Sequence, residues 1–395
     1  MNDAAQTKRS SSVAPLIFLL AGETSGDHLG AGLMQALHHA RPQIRFSGVG
    51  GPLMQATGLQ SLYPISDLAV MGIMPVIARL PLLLRRLDET IAAIIAQRPD
   101  CLVIIDSPDF THRVAKKVRK HFPDLPIIDY VSPSVWAWRP GRARKMRAYI
   151  DHVLAVLPFE PDAHRRLSGP DCTYVGHPLI EKLNVMTPSL AEQARRSSAP
   201  PLVLVLPGSR RSEIDRLMAD FGAAIDQLAQ MHGPIEVRLP AVAHLADKIK
   251  KAAELWRIKP EIVLGEEAKW AAFRSARIAL AASGTVTLEL AMANVPMVVA
   301  YKYSQLEGLL RPFVKVSSIV LPNLVLGRNA IPEFLQDECT PHSLANALAE
   351  LLTEGAKRQA QTQALIDVRS LMALPDQQNP SMQAAALVLK ALTQD

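Results

Sequence analysis

The stretch LPGSRRSEI places Gly208, Ser209 and Arg210 between an apolar run and a helix predicted from about Glu213. Backbone N–H groups at such a turn, the positive end of a helix dipole and a guanidinium fork all suit phosphate oxygens. ASGTVTLELAMANVPMVV repeats the logic: Ser283, Gly284 and Thr285 cap a helix, and Glu289 follows one turn into it. An acid in a first turn more often serves only the dipole. Its other use is to accept the two hydroxyls of a ribose, and a phosphate turn beside a ribose acid implies a nucleotide.

AGETSGDHLGAG, residues 21–32, is a third glycine-rich turn between a strand and a helix. It fails the dinucleotide fingerprint: Gly30 and Gly32 have the first spacing, residue 35 is Gln, and the next strand, IRFSGVGG, ends in glycines where an acid should stand. The nucleotide therefore belongs to the other two turns.

These turns need strands to carry them. LIFLL, IRFSGV, CLVII, PIIDYV, HVLAVL and CTYVG, then LVLVLPGS, IEVRLP, EIVLG, RIALAAS and PMVVAY, are short Val/Ile/Leu runs alternating with amphipathic helical stretches. That pattern predicts α/β architecture with parallel sheets, in two facing Rossmann-like domains with an interdomain cleft. The expected organisation is a flexible tail over 1–13, a first domain over 14–185, a Pro/Ser/charge-rich linker over 186–201, a nucleotide-binding domain over 202–340, and C-terminal helices over 341–395 that pack on the first domain or on another chain. Ligands in such sheets sit beyond the carboxyl ends of the strands.

Composition narrows the function classes. A chain of 395 residues, 49% apolar and 20% charged, buries a large core and argues against extensive disorder. Three cysteines outside any CxxC pair suggest neither a disulfide framework nor a zinc site. No apolar run reaches the roughly 18 residues of a spanning helix, and the N-terminal stretch does not read as a signal peptide. A net charge of +6 favours an anionic partner: nucleic acid, phosphorylated metabolite or lipid surface.

AGETSGDHLGAG, GVGGPLMQATG, LAVMGIMPVI, IDSPDF, YVSPSVWAWRPGR, LPFEP, VGHPL, LPGSR, ASGT and LPNLVLGR stand in the order found in lipid-A-disaccharide synthases, and the chain resembles that family over roughly residues 21–330. The resemblance implies a GT-B type, inverting glycosyltransferase of Gram-negative lipid A and lipopolysaccharide biosynthesis. Its substrates are UDP-2,3-diacylglucosamine and 2,3-diacylglucosamine 1-phosphate; its products are the β-1,6 disaccharide and UDP. It also implies a cytoplasmic protein lying peripherally on the inner membrane, with no cofactor. Self-association into a homodimer is left open.

An inverting displacement needs one general base. The resemblance and the position at a strand tip both point to Asp106, which ends CLVII; Asp109, after Pro108, competes as base but suits a helix cap. Glu23 and Ser25 are expected to hydrogen-bond the sugars, with Glu23 contributing to turnover, and Gly22 and Gly26 to let the backbone approach them. Gly208, Ser209, Arg210, Ser283, Gly284, Thr285 and Glu289 are the donor-binding set, and the resemblance adds Asn323 of LPNL. His177 of VGHP is as suited to a structural hydrogen bond as to catalysis. No two Asp residues stand two apart and no HExxH spacing occurs, so no metal is expected.

Acylated substrates require an apolar docking face. LAVMGIMPVIARLPLLLRRL, residues 68–87, sets Met71, Met74 and Leu83 beside Arg85 and Arg86, as binding to an anionic membrane surface requires. As a bare pattern it also fits a core helix. SPSVWAWRPGRARKMR interleaves Trp136 and Trp138 with Arg139 and further basic residues. Aromatics among Arg can stack on bases, which makes a nucleic-acid-binding module the non-enzyme alternative. One short basic cluster is met equally well by an acceptor phosphate and headgroups, so no nucleic-acid partner is expected. Another UDP-sugar transferase or an epimerase is the remaining alternative, since either can share the donor half.

Overall fold

The computed structural model describes residues 14–68, 73–303 and 316–393, with no side-chain account of residues 73–77 and 377. The tail expected over 1–13 and Met71 lie outside the described residues, as does the side chain of Met74.

The chain divides into two compact units, one running to Pro178 and resuming at Leu374, the other covering Leu179–Ala373. In the first, β1 (Leu16–Ala21), β2 (Arg45–Val49), β3 (Cys101–Ile105), β4 (Ile127–Tyr130), β5 (His152–Ala155) and β6 (Asp171–Tyr174) form a sheet ordered β2-β1-β3-β4-β5-β6. Every pairing is parallel. Strands buried on both faces must be apolar throughout, and Ile17 to Ala21 and Cys101 to Ile105 are all fully buried. One face is covered by the helix Thr24–Ala40, which contributes Leu33, Met34 and Leu37 at helical spacing. Ala384, Ala385 and Val388 of the C-terminal helix Pro380–Ala391 join the same core.

The second unit holds β7 (Leu202–Leu206), β8 (Glu236–Ala241), β9 (Glu261–Leu264), β10 (Ile278–Ala282), β11 (Met297–Tyr301) and β12 (Glu333–Leu335). The order is β12-β11-β10-β7-β8-β9, again all parallel. This is the doubly wound Rossmann order, with its topological switch between β7 and β10. The corresponding switch in the first unit lies between β1 and β3.

The stretch expected as a linker over 186–201 is structured and belongs to the second unit. Ser189 and Glu192 close a capping box on the helix Leu190–Ser197. Arg196 donates to the carbonyls of Phe273, Arg274, Ala293 and Asn294. Composition reads as a loop there because those charges, which look solvated in sequence, satisfy helix ends that are distant along the chain. The block 341–395 is likewise divided: Pro341–Leu352 and Ala356–Met372 stay in the second unit, and Pro380–Ala391 packs on Thr24–Ala40 of the first.

Candidate active site

In the first unit the switch point puts the end of β1 beside the end of β3. The chain leaves β3 through two successive left-handed residues, Asp106 (φ 57°) and Ser107 (φ 46°), before Pro108 starts the next helix. Non-glycine residues in that region cost of order 1 kcal/mol or more each and mark places where neighbours dictate the backbone. Here Asp106 N–H is held by the Tyr130 carbonyl at 3.1 Å, and Thr111 Oγ1 donates to the Asp106 carbonyl at 2.8 Å. The carboxylate is fixed on both oxygens: Ser25 Oγ donates to Oδ2 at 2.9 Å and Ser107 N–H to Oδ1 at 2.7 Å.

Asp109 has a different environment. Its side chain is 84% exposed and pairs with Arg142 at 2.9 Å. The strand-tip acid is thus the oriented one, and its rival is an exposed partner in a salt bridge. Glu23 is half-buried at the N-cap of Thr24–Ala40, with Ser25 exposed in the first turn of that helix.

The glycines of AGETSGDHLGAG serve the chain itself. A Cβ on Gly22 would stand 2.2 Å from Ser107 Cβ, and one on Gly26 3.2 Å from the Ile105 carbonyl. They let β1 and its helix close onto β3, which is what brings Ser25 to Asp106. Asp27 in the same motif is buried and accepts the N–H groups of Gly51, Leu53 and Met54, so it clamps the GVGGPLM turn.

In the second unit Gly208, Ser209, Arg210, Ser283, Gly284, Thr285 and Glu289 line one cavity of about 630 Å³ at the carboxyl ends of β7 and β10. Pro240, Ala241, Val242 and Val263 give it an apolar wall. A concave, largely apolar space with a few convergent polar groups is the expected form of a small-molecule site.

The LPGSR turn does not offer the free donors its sequence promises. Ser209 N–H and Arg210 N–H both donate to Glu213 Oε2, at 2.9 and 3.1 Å, and Arg210 Nη1 lies 3.2 Å from Glu213 Oε1. Gly208 has φ 111°, and a Cβ there would stand 2.2 Å from Glu213 Oε2. Glu213 thus fills the anion seat of the turn from within, leaving the Arg210 guanidinium, 60% exposed, as the turn's own cation at the cavity. Glu289 is paired with Lys269, Nζ to Oε2 2.6 Å. Ser283 Oγ donates to the Ile319 carbonyl.

Asn323, expected at the donor, is 2% exposed and fully engaged by its own unit. Its amide donates to Ser318 Oγ and the Ile331 carbonyl and accepts from Ala330 and Ile331 N–H. It ties the LPNL helix to the RNAI loop. His177 is half-buried, and burial pulls its pKa down to about 4, so it is a neutral imidazole at physiological pH.

Trp136 and Trp138 are not a stacking pair. The Trp136 indole donates to buried Glu160 at 3.1 Å and meets Phe159 edge-on, while Arg139 lies 4.2 Å over the Trp138 ring. Ser132 Oγ and His164 Nε2 are 2.8 Å apart, so this loop is pinned at two points. The LPFEP motif could have signalled Glu160, but nothing in sequence names its partner.

The run around Leu83 forms the helix Ile73–Gln97 and does two things. Leu83 packs against the core with Leu87, Ile91 and Ile94, whereas Leu80 and Leu84 stand 45% and 46% exposed with Arg79 and Arg85. Arg86, expected to face lipid, instead binds Asp67 and Glu89 at 2.7 and 2.6 Å and covers the Tyr63 ring. Among the described residues no helix is long and apolar enough to cross a membrane.

Comparison with known proteins places this geometry. The family model for lipid-A-disaccharide synthetase matches residues 17–388. The chain is 54% identical over 378 residues to the lipid-A-disaccharide synthase of Nitrobacter hamburgensis, covering 95% of both, and 44% identical over 382 residues to that of Rhodospirillum centenum, covering 96% and 95%. Among solved structures, a UDP-GlcNAc 2-epimerase from Neisseria meningitidis bound to UDP-GlcNAc superposes with TM-score 0.61 at 10% identity, covering 95% of this chain and 99% of that one. MurG of Acinetobacter baumannii gives TM-score 0.59 at 14%, with the same coverage. Likeness at such identity speaks for the fold alone, which is of GT-B type. The family match spans nearly the whole chain and includes both the strand-tip acid and the cavity at the ends of β7 and β10: the chain belongs to the lipid-A-disaccharide synthase family.

Proposed function

We propose that the chain transfers a 2,3-diacylglucosamine unit from UDP to the 6-hydroxyl of 2,3-diacylglucosamine 1-phosphate, with inversion and with Asp106 as general base. The observation that carries the mechanism is the Asp106 carboxylate at the end of β3, oriented by Ser25 Oγ and Ser107 N–H. One lone pair of Oδ2 is used by Ser25, and an ionised carboxylate has about four acceptor positions in all, so capacity for an incoming hydroxyl proton is left.

The acceptor oxygen attacks the anomeric carbon, its proton passes to Asp106, and the bond from carbon to the β-phosphate oxygen breaks with its electron pair on UDP. The α-linked donor becomes a β-linked product in one displacement. Negative charge grows on the leaving diphosphate, and Arg210 with the 283–285 turn supplies compensating positive potential. Because Glu213 already takes the Ser209 and Arg210 N–H groups, the LPGSR turn acts through its side-chain cation. Glu289 accepts the ribose hydroxyls.

Leu80 and Leu84 with Arg79 and Arg85 form the contact with an anionic membrane surface on the cytoplasmic side, where both acylated substrates reside. The direct test is to incubate the purified protein in detergent micelles with the two lipid substrates and follow UDP and disaccharide. Wild type forms both. Asp106→Asn binds UDP and forms both at least about a hundredfold more slowly; disaccharide at the wild-type rate from Asp106→Asn sinks the proposed base.

A further inference from the structure

Glu289 can serve a ribose only if its carboxylate is held in place, and one residue in the cavity holds it. Lys269 Nζ stands 2.6 Å from Glu289 Oε2. The ammonium is itself confined, 4.5 Å from the Trp270 ring centroid and 5.5 Å from that of Phe273, the two rings meeting edge to face. Trp270 is 5% and Phe273 0% exposed, so this aromatic bed is rigid core. Both Lys269 and Glu289 line the same cavity. The cation comes from the helix Glu266–Ser275 after β9 and the acid from Val286–Met292 after β10, so neither motif announces the other.

We propose that Lys269 is a positioning residue for the donor nucleotide: it fixes Glu289 as the acceptor of the ribose hydroxyls and thereby sets the preference for ribo- over deoxyribonucleotide. This rests on the donor reading above. One oxygen of Glu289 is anchored by the ammonium and the cation is held against two aromatic rings, so the carboxylate is restrained within the cavity that both residues line. A carboxylate so held is left with an unpaired acceptor position when the 2′-hydroxyl is missing, and a site built around a substrate hydroxyl rejects the analogue that lacks it. Without Lys269 the carboxylate is free to turn toward water, and the loss falls on the ribonucleotide.

The test is calorimetric binding of UDP and 2′-deoxy-UDP to the full chain, as wild type, Lys269→Met, Lys269→Arg, Glu289→Gln and the double variant Lys269→Met/Glu289→Gln, with thermal unfolding of each. Wild type is expected to prefer UDP about tenfold or more, and Lys269→Met to lose about tenfold in UDP affinity but less than about twofold for the deoxynucleotide. Lys269→Arg, which keeps a cation over the rings, restores most of the preference and serves as the folded reference should Lys269→Met unfold. The double variant discriminates no worse than Glu289→Gln alone, since both act through one carboxylate. Equal losses for both nucleotides, or an unchanged ratio in Lys269→Met, overturn the role of Lys269 while leaving the donor site in place. A wild type that binds no UDP overturns the donor reading itself.

Discussion

Ser25 Oγ donates a 2.9 Å hydrogen bond to Asp106 Oδ2 although 81 residues separate them. β1 and β3 are neighbours only because the sheet order is β2-β1-β3, and the close approach at Gly22 lets the turn after β1 reach the turn after β3. The acid at the strand tip is therefore held by its own fold before any substrate arrives, and preorganisation of that kind is what a general base requires.

Asp106→Asn should lower kcat by roughly 10²- to 10⁴-fold, the usual contribution of a positioned general base. UDP affinity should stay close to wild type. Ser25→Ala should lower kcat by about tenfold, consistent with loss of one hydrogen bond to a charged group. Asp109→Asn removes only an exposed ion pair and should stay within about twofold of wild type. Steady-state kinetics on the three variants decides; a larger loss in Asp109→Asn than in Asp106→Asn reverses the assignment.

Glu213→Ala leaves the Ser209 and Arg210 N–H groups without their acceptor, in a turn whose shape depends on it. Destabilisation of about 1–3 kcal/mol in chemical denaturation is expected, together with weaker UDP binding as Arg210 loses its anchor. If UDP binds tighter to Glu213→Ala, the carboxylate is a competitor of the diphosphate and not a support for the turn.

Burial pushes the Glu160 carboxyl up to about 7, opposed by hydrogen bonds from Trp136 and the Leu157 N–H. A carboxyl whose folded pKa is raised binds more protons folded than unfolded across this window. Its contribution is therefore fully present below about 4.5 and is lost as pH rises through about 7. Wild-type stability should fall by on the order of 2 kcal/mol over that range from this group alone. Glu160→Gln lacks that slope and loses one acceptor. The two proteins should thus differ most at pH 5, with wild type the more stable, and converge by pH 8. A constant gap in melting temperature across these pH values contradicts the account.

Leu80→Asp with Leu84→Asp should abolish flotation with anionic liposomes while leaving the melting temperature nearly unchanged, because both side chains stand outward. Leu83→Asp places a charge against the core formed with Leu87, Ile91 and Ile94 and should unfold the first unit before it informs on lipid binding. Undiminished flotation of the double variant removes this face from the membrane reading.

Activity should survive exhaustive EDTA treatment, since the positive potential for the leaving group is assigned to Arg210 and backbone dipoles. Loss of activity that Mg²⁺ restores counts against that assignment.

Much of this was legible in sequence because it is local. The strand runs, the turns at 208–210 and 283–285 and the strand-tip Asp106 depend on residue order within about ten positions, which periodicity and turn chemistry encode. What the tertiary structure alone decided is which local features meet. Strand order sets Ser25 beside Asp106, and the helix after β9, packing back across β8 and β7, brings Lys269 to Glu289. Helix rotation separates inward Leu83 from outward Leu80 and Leu84. Asn323 and the N–H groups of the LPGSR turn read as ligand-binding in sequence, yet Asn323 and Glu213 close on their own chain. A donor and an acceptor have the same sequence signature whether their partner is a substrate or a residue brought near by packing, and only the folded chain distinguishes the two.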